Sequence, residues 1–151
     1  MRGRMILAPA VTVHDAAGAR MALAAAARRC PGATLPLLSP PGAARWLTPE
    51  TFLAMLAPAR RDWPGQPCLP VLDCGDAPGF ALAALRAGLP AVVLGAGAPG
   101  RPAVEAVAVA LGAAAWRRAP PSLVLRPPLG SAMERALDAW LDGGAGDIPR
   151  W

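Results

Sequence analysis

The chain has 151 residues, 54% of them apolar, and a formal charge of +5. The length fits one domain with a sizeable core, and Pro, Gly or charge interrupts every apolar run before it could span a bilayer, so no membrane-spanning helix is expected. All fifteen basic residues are arginine, scattered in pairs such as Arg28-Arg29, Arg60-Arg61 and Arg117-Arg118; no aromatic-interleaved basic patch marks a nucleic-acid surface, and a chain without lysine cannot form a Schiff base.

Short apolar runs alternate with longer Ala/Leu-rich stretches, the pattern of a parallel α/β sheet. Met1-Arg2-Gly3-Arg4 opens the chain with a faint signal-peptide character that Pro9 and His14-Asp15 cut short. The first strand is expected at 10–13, ending at His14-Asp15, with Asp15 as cap of a helix over 16–29 that Pro31-Gly32 stops. A second strand over 34–38 ends at Ser39, and Pro40-Pro41-Gly42 turns the chain. Thr48-Pro49-Glu50 starts a helix, Thr48 as N-cap and Pro49 at its first position. That helix turns Phe52, Leu53 and Leu56 inward and bends or ends near Pro58.

The third strand, 68–72, stops at Asp73-Cys74-Gly75-Asp76. Asp76 is placed to cap a helix over 77–87, which Gly88 ends. A fourth strand over 91–94 runs into Gly95-Ala96-Gly97-Ala98-Pro99-Gly100. This loop reads as a turn, with Pro99 and Arg101-Pro102 ill-suited to a dinucleotide-type helix start; backbone N–H groups at Gly95 and Gly97 are candidates for phosphate contact. A helix over 103–111 and a fifth strand over 122–125 follow. Ser131-Ala132-Met133-Glu134 reads as a capping box, with Met133, Leu137, Trp140 and Leu141 on one helical face. Residues 1–142 make one domain and 143–151 a loose tail, unless Trp151 docks. Cys30, Cys68 and Cys74 are odd in number and lack CxxC spacing, which fits a reduced, cytoplasmic protein.

Five stretches, in order, resemble the class II, metal-dependent fructose-bisphosphate and tagatose-bisphosphate aldolases. Val11-Thr12-Val13-His14-Asp15 is similar to that family's first strand. Leu37-Leu38-Ser39-Pro40-Pro41-Gly42-Ala43 is similar to its second strand and Ser-Pro-Gly-Ala turn, and Phe52-Leu53-Ala54-Met55-Leu56 to an apolar helix. Pro70-Val71-Leu72-Asp73-Cys74-Gly75-Asp76 resembles the His-Leu-Asp-His-Gly motif, and the run from Ala84 to Gly95 the next helix and strand.

The resemblance covers the first half of that family and implies half of a (β/α)8 barrel, or a flavodoxin-like reclosure of it, built from four to five βα units. It places Asp73 at the acid/base position and Cys74 at a zinc-ligand position; Ser39 falls at a substrate-contacting position near the sugar phosphate, and His14 at the barrel mouth. The family's other zinc ligands and phosphate loops lie in its second half. His14 is the single histidine here, and a catalytic zinc needs about three protein ligands; Cys74, His14 and a carboxylate such as Asp76 are the candidate set. The mouth loops at 39–42 and 73–79 contain no arginine to hold a bisphosphate.

The expected function is a non-catalytic, aldolase-like module that binds a small molecule such as a sugar phosphate, or a partner chain. The alternative is a zinc-dependent aldehyde-lyase with Asp73 as acid/base and the metal on Cys74. A blander reading makes 73–76 a strand end with a helix cap and a small buried thiol. An open half-barrel exposes strand edges, so homodimerisation or pairing with another chain is expected, with the last amphipathic helix as a candidate cover.

Overall fold

The computed structural model describes residues 5–143, so the signal-like start and most of the expected tail, with Trp151, lie outside the described residues. The elements are β1 (Ala10–Val13), α1 (Ala16–Arg29), β2 (Leu35–Leu38), a 3-10 turn (Ala43–Arg45), α2 (Pro49–Asp62) and β3 (Cys68–Asp73). Then come α3 (Pro78–Arg86), β4 (Ala91–Val93), α4 (Arg101–Ala110), β5 (Ala114–Trp116), β6 (Ser122–Leu125) and α5 (Ser131–Asp142).

The six strands make one sheet in the order β5-β4-β3-β2-β1-β6, and every pairing is parallel. From β1 to β5 each strand is laid one place further in the same direction. Right-handed crossovers then put all their helices on one face, and the packing agrees. Val11, Leu37, Leu72, Val92 and Leu125 share one core with buried residues of all five helices, among them Leu23, Phe52, Leu85, Val104 and Leu137. Alternate strand residues point the other way. Ala10, Leu38, Val71, Ala91, Val93 and Trp116 form a second cluster that contains no helix residue.

That second face is nevertheless buried, and the chain's own reach explains why. Trp116 ends β5 at one edge of the sheet and Ser122 begins β6 at the other. Six residue steps span at most about 22 Å. Across a flat six-stranded sheet the same two points would stand about 24 Å apart, before counting the return from a strand's end to another's beginning. The sheet is therefore curved, and its edge strands are drawn toward one another. β5 and β6 each pair on one side only, so the sheet keeps the two edges expected of it. What edge remains is short at β5, and Pro120-Pro121 and Pro127-Pro128 bracket β6, both devices that discourage strand addition.

Several local expectations hold in atomic detail. Asp15 caps α1 by accepting the Gly18 N–H (2.7 Å), and Thr48 caps α2 by accepting from Thr51 N–H (3.1 Å). Others are corrected. The sheet has six strands, since Ala114–Trp116 is a strand as well as Ser122–Leu125. Pro58 neither ends nor breaks α2; burial of Phe52, Leu56 and Ala59 on both sides of it outweighs one lost backbone bond. Asp76 does not cap α3, whose N-cap is Ala77 with no side-chain bond and Pro78 first in the helix. Ser131 is the first residue of α5 rather than its cap, which is Gly130, so no capping box forms. Arg101-Pro102 opens α4, Pro being well tolerated in a first turn. No helix among the described residues is long and apolar enough to cross a membrane.

Candidate functional site

In a parallel sheet all strands deliver their last residues to one edge, where loops are free to carry chemistry. Here that carboxyl edge receives His14 after β1, Ser39 after β2, Asp73 to Asp76 at the end of β3, and Gly95 and Gly97 after β4. It also receives Arg117 and Arg118 after β5 and Arg126 after β6, all exposed. The loops at 39–42 and 73–79 lack arginine as read, but the curved sheet brings cations to the same edge from its two outer strands.

The tightest constellation joins Ser39 and Asp73. Ser39 continues the β2–β3 ladder one rung past the end of β2. Its N–H donates to Val71 O (3.0 Å), and its Oγ accepts the Asp73 N–H (2.9 Å) while donating to Pro40 O (3.2 Å). Asp73 is only 8% exposed. One carboxylate oxygen, Oδ1, accepts the Gly75 N–H at 2.9 Å, an Asx-type turn that Gly75 completes with φ of 56°. The other oxygen has no hydrogen-bond or ion-pair partner among the described residues, and it is not sealed from solvent, since no buried side-chain oxygen lacks a partner. A nearly buried carboxylate thus keeps one oxygen in reserve at the mouth.

Asp76 and Gly95 also meet. Gly95 N–H donates to Gly75 O (2.8 Å), and a Cβ at Gly95 would overlap Asp76 Oδ1. The missing side chain at 95 makes room for that carboxylate. Gly97 has open space where a side chain would stand and lies in the exposed turn before α4.

The structure does not assemble the expected metal set. His14 is exposed and its Nδ1 is 3.1 Å from Leu125 O, an interaction that faces β6, whereas β3 lies two strands away on the other side of β1. Cys74 alternates away from Asp73 into the helix-side core, fully buried, with Sγ 3.6 Å from Leu72 O. Burial, with a smaller contribution from the Asp73 charge, pushes its thiol up to about 12; zinc binds thiolate, which this position strongly disfavours. Among the described residues no three His, Cys, Asp or Glu side chains converge on a point that could hold a metal ion. The donors among the described residues do not fit a zinc centre.

Arg101 carries a role that the sequence did not suggest. It is almost fully buried, and its guanidinium donates from Nη1 to Leu94 O, from Nη2 to Ala115 O (2.8 Å) and from Nε to Glu105 (2.9 Å). One side chain from the start of α4 thereby fastens the carboxyl end of β4 to β5. The visible signal was an arginine paired with a glutamate four residues on; its burial was not readable.

A scan against protein-family models gives no match for this chain, and a search of curated proteins gives none either.

Proposed function

We propose that the carboxyl edge binds a small, polyhydroxylated and phosphorylated molecule of the sugar-phosphate class, and that the fold is a reduced, aldolase-like barrel in which catalysis is not retained. The observation that carries the reading is the Asp73 carboxylate, nearly buried, held by Gly75 and Ser39, with one oxygen uncommitted. A carboxylate in that position accepts a ligand hydroxyl at low entropic cost, because its own geometry is already set. Exposed Arg117 and Arg126 stand on the same edge and supply the positive charge a phosphate requires. Strands that advance in one direction from β1 to β5, with β6 beside β1 and the helices on one face, follow the barrel plan without the final β5–β6 pairing. A flavodoxin-like plan would instead reverse strand order near β1 and cover both faces.

The zinc-lyase version finds no donor set among the described residues to support it. The demand for a second copy, which rested on wide open edges, weakens with the curvature of the sheet.

Calorimetric titration with fructose 1,6-bisphosphate, run beside an aldol-cleavage assay, tests the reading. Binding without cleavage is expected, weakened about tenfold or more in Asp73→Asn, the value of one charge-assisted hydrogen bond. Equal binding by Asp73→Asn, or no binding at millimolar ligand, would overturn it. Cleavage that vanishes both in chelator and in Asp73→Asn would restore the metal-dependent lyase to the site.

A further inference from the structure

The opposite, amino edge of the sheet holds a second set of groups that the carboxyl-edge reading leaves unused. The loop between α2 and β3, Trp63-Pro64-Gly65-Gln66-Pro67, separates two clefts that share Trp63, Pro64 and Gln66. The larger has a volume of about 500 Å³ and is also lined by Met5, Thr34 and Arg60. That is the size range of small-molecule sites.

Gln66 decides the chemistry. It is 7% exposed, and its Nε2 donates to Ala33 O (2.7 Å) and toward Pro67 O (3.4 Å). Both partners are carbonyl oxygens, so the amide orientation is set by the network. Its Oε1 therefore faces the other way with no hydrogen-bond partner among the described residues, and it is not sealed off, since no buried side-chain oxygen is left unpaired. A side chain more than nine-tenths buried, lining both clefts, thus offers them a fixed acceptor. Three more groups surround it. Trp63 is 38% exposed, which leaves an indole surface available. Met5, also exposed, lines the same cleft. Arg60 has no carboxylate partner among the described residues, whereas neighbouring Asp62 is taken by Arg20 at 3.1 Å.

We infer that this cleft is a binding site for a planar, N–H-bearing heteroaromatic anion. The ring stacks on Trp63, a ring N–H donates to Gln66 Oε1, and the acidic group pairs with Arg60. An apolar ligand would leave Gln66 Oε1 without a donor and make no use of the arginine, and an aliphatic anion would make no use of the indole.

The chain provides its own reporter. Gln66 is the only glutamine and asparagine is absent, so a nitrogen-15 correlation spectrum contains a single side-chain carboxamide pair. Orotate and uridine 5′-monophosphate are the probes, titrated into the full chain with tryptophan fluorescence followed in parallel. At least one is expected to shift the Gln66 amide pair and quench fluorescence, with the quench lost in Trp63→Leu. Arg60→Gln, at an exposed position, should weaken binding about tenfold. 1,3-Dimethylorotate, in which both ring N–H groups are replaced, should lose about as much. The inference is overturned if neither probe moves the amide pair at millimolar concentration, or if methylated and unmethylated rings bind equally. Because Asp73→Asn leaves this edge intact, probe binding that survives that substitution separates the two sites.

Discussion

Replacing Ser39 by alanine tests whether this serine is a rung of the sheet or only a ligand contact. Its hydroxyl accepts the Asp73 N–H (2.9 Å) and itself donates to Pro40 O. Ser39 is 2% exposed, so water cannot step in without opening the β2–β3 end. Removing the hydroxyl strands a buried N–H and costs about 1–3 kcal/mol, the penalty of an unmade hydrogen bond. For a chain of this size that lowers the melting temperature by about 4–8 °C at the midpoint of the range. Urea and thermal denaturation measure the loss, and amide exchange locates it. The Asp73 amide should exchange faster in Ser39→Ala, while the Cys74 amide, which donates to Val93 O at 2.8 Å, keeps its protection. A loss below about 0.5 kcal/mol, within the scatter of neutral surface changes, together with unchanged Asp73 exchange, would refute the ladder role and leave Ser39 as a ligand contact alone.

Asp15→Ala removes the cap of α1 and should cost about 1 kcal/mol by denaturation, with Asp15→Asn or Asp15→Ser recovering most of it. Gly95→Ala places a methyl against Asp76 Oδ1; because Asp76 is exposed and free to swing, stability should fall by less than about 1 kcal/mol, and a large loss in melting experiments would show that the Asp76 position is fixed. The buried Cys74 thiol sits at about 12 against an ordinary 9.0, so between those values the unfolded chain releases a proton that the folded chain keeps. Stability therefore holds below pH 9 and falls as pH rises toward 12, by up to about 1.4 kcal/mol per pH unit from this group. Cys74→Ala should flatten that slope in alkaline denaturation, with Cys68, raised to about 11, accounting for a part that remains.

The elements that the sequence made legible are those whose local chemistry and burial agree. Val11 and Val13 alternate with Ala10 and Thr12, and a capping aspartate follows, so β1 and the start of α1 read directly. β5 was missed because Ala114-Ala115-Trp116 contains one residue of high β-propensity; it is a strand because β4 lies beside it and Arg101 binds Ala115 O. Asp76 has a cap's position in sequence, yet its carboxylate lies over Gly95, in the loop after β4. The site divides the same way. Asp73 and Ser39 are both legible in sequence as strand-end polar residues, and they meet through the Asp73 N–H and the Ser39 hydroxyl. His14 and Cys74 are legible too, but alternation sends Cys74 to the helix side and a β6 carbonyl engages His14. Neither fact is local. Gln66 gave no signal at all, since its use depends on which carbonyls flank it in space.

Arg101 also changes what the β4–β5 joint can do on its own. That pairing is three residues long, the sort of edge that opens readily by itself. Here a local opening would abandon a guanidinium donor inside the core, so the edge strand cannot peel away while α4 stays in place. β4, the start of α4 and β5 should therefore exchange their amides as one cooperative unit, and the rim beside Gly95 inherits the rigidity of the helix behind it rather than the looseness of an edge.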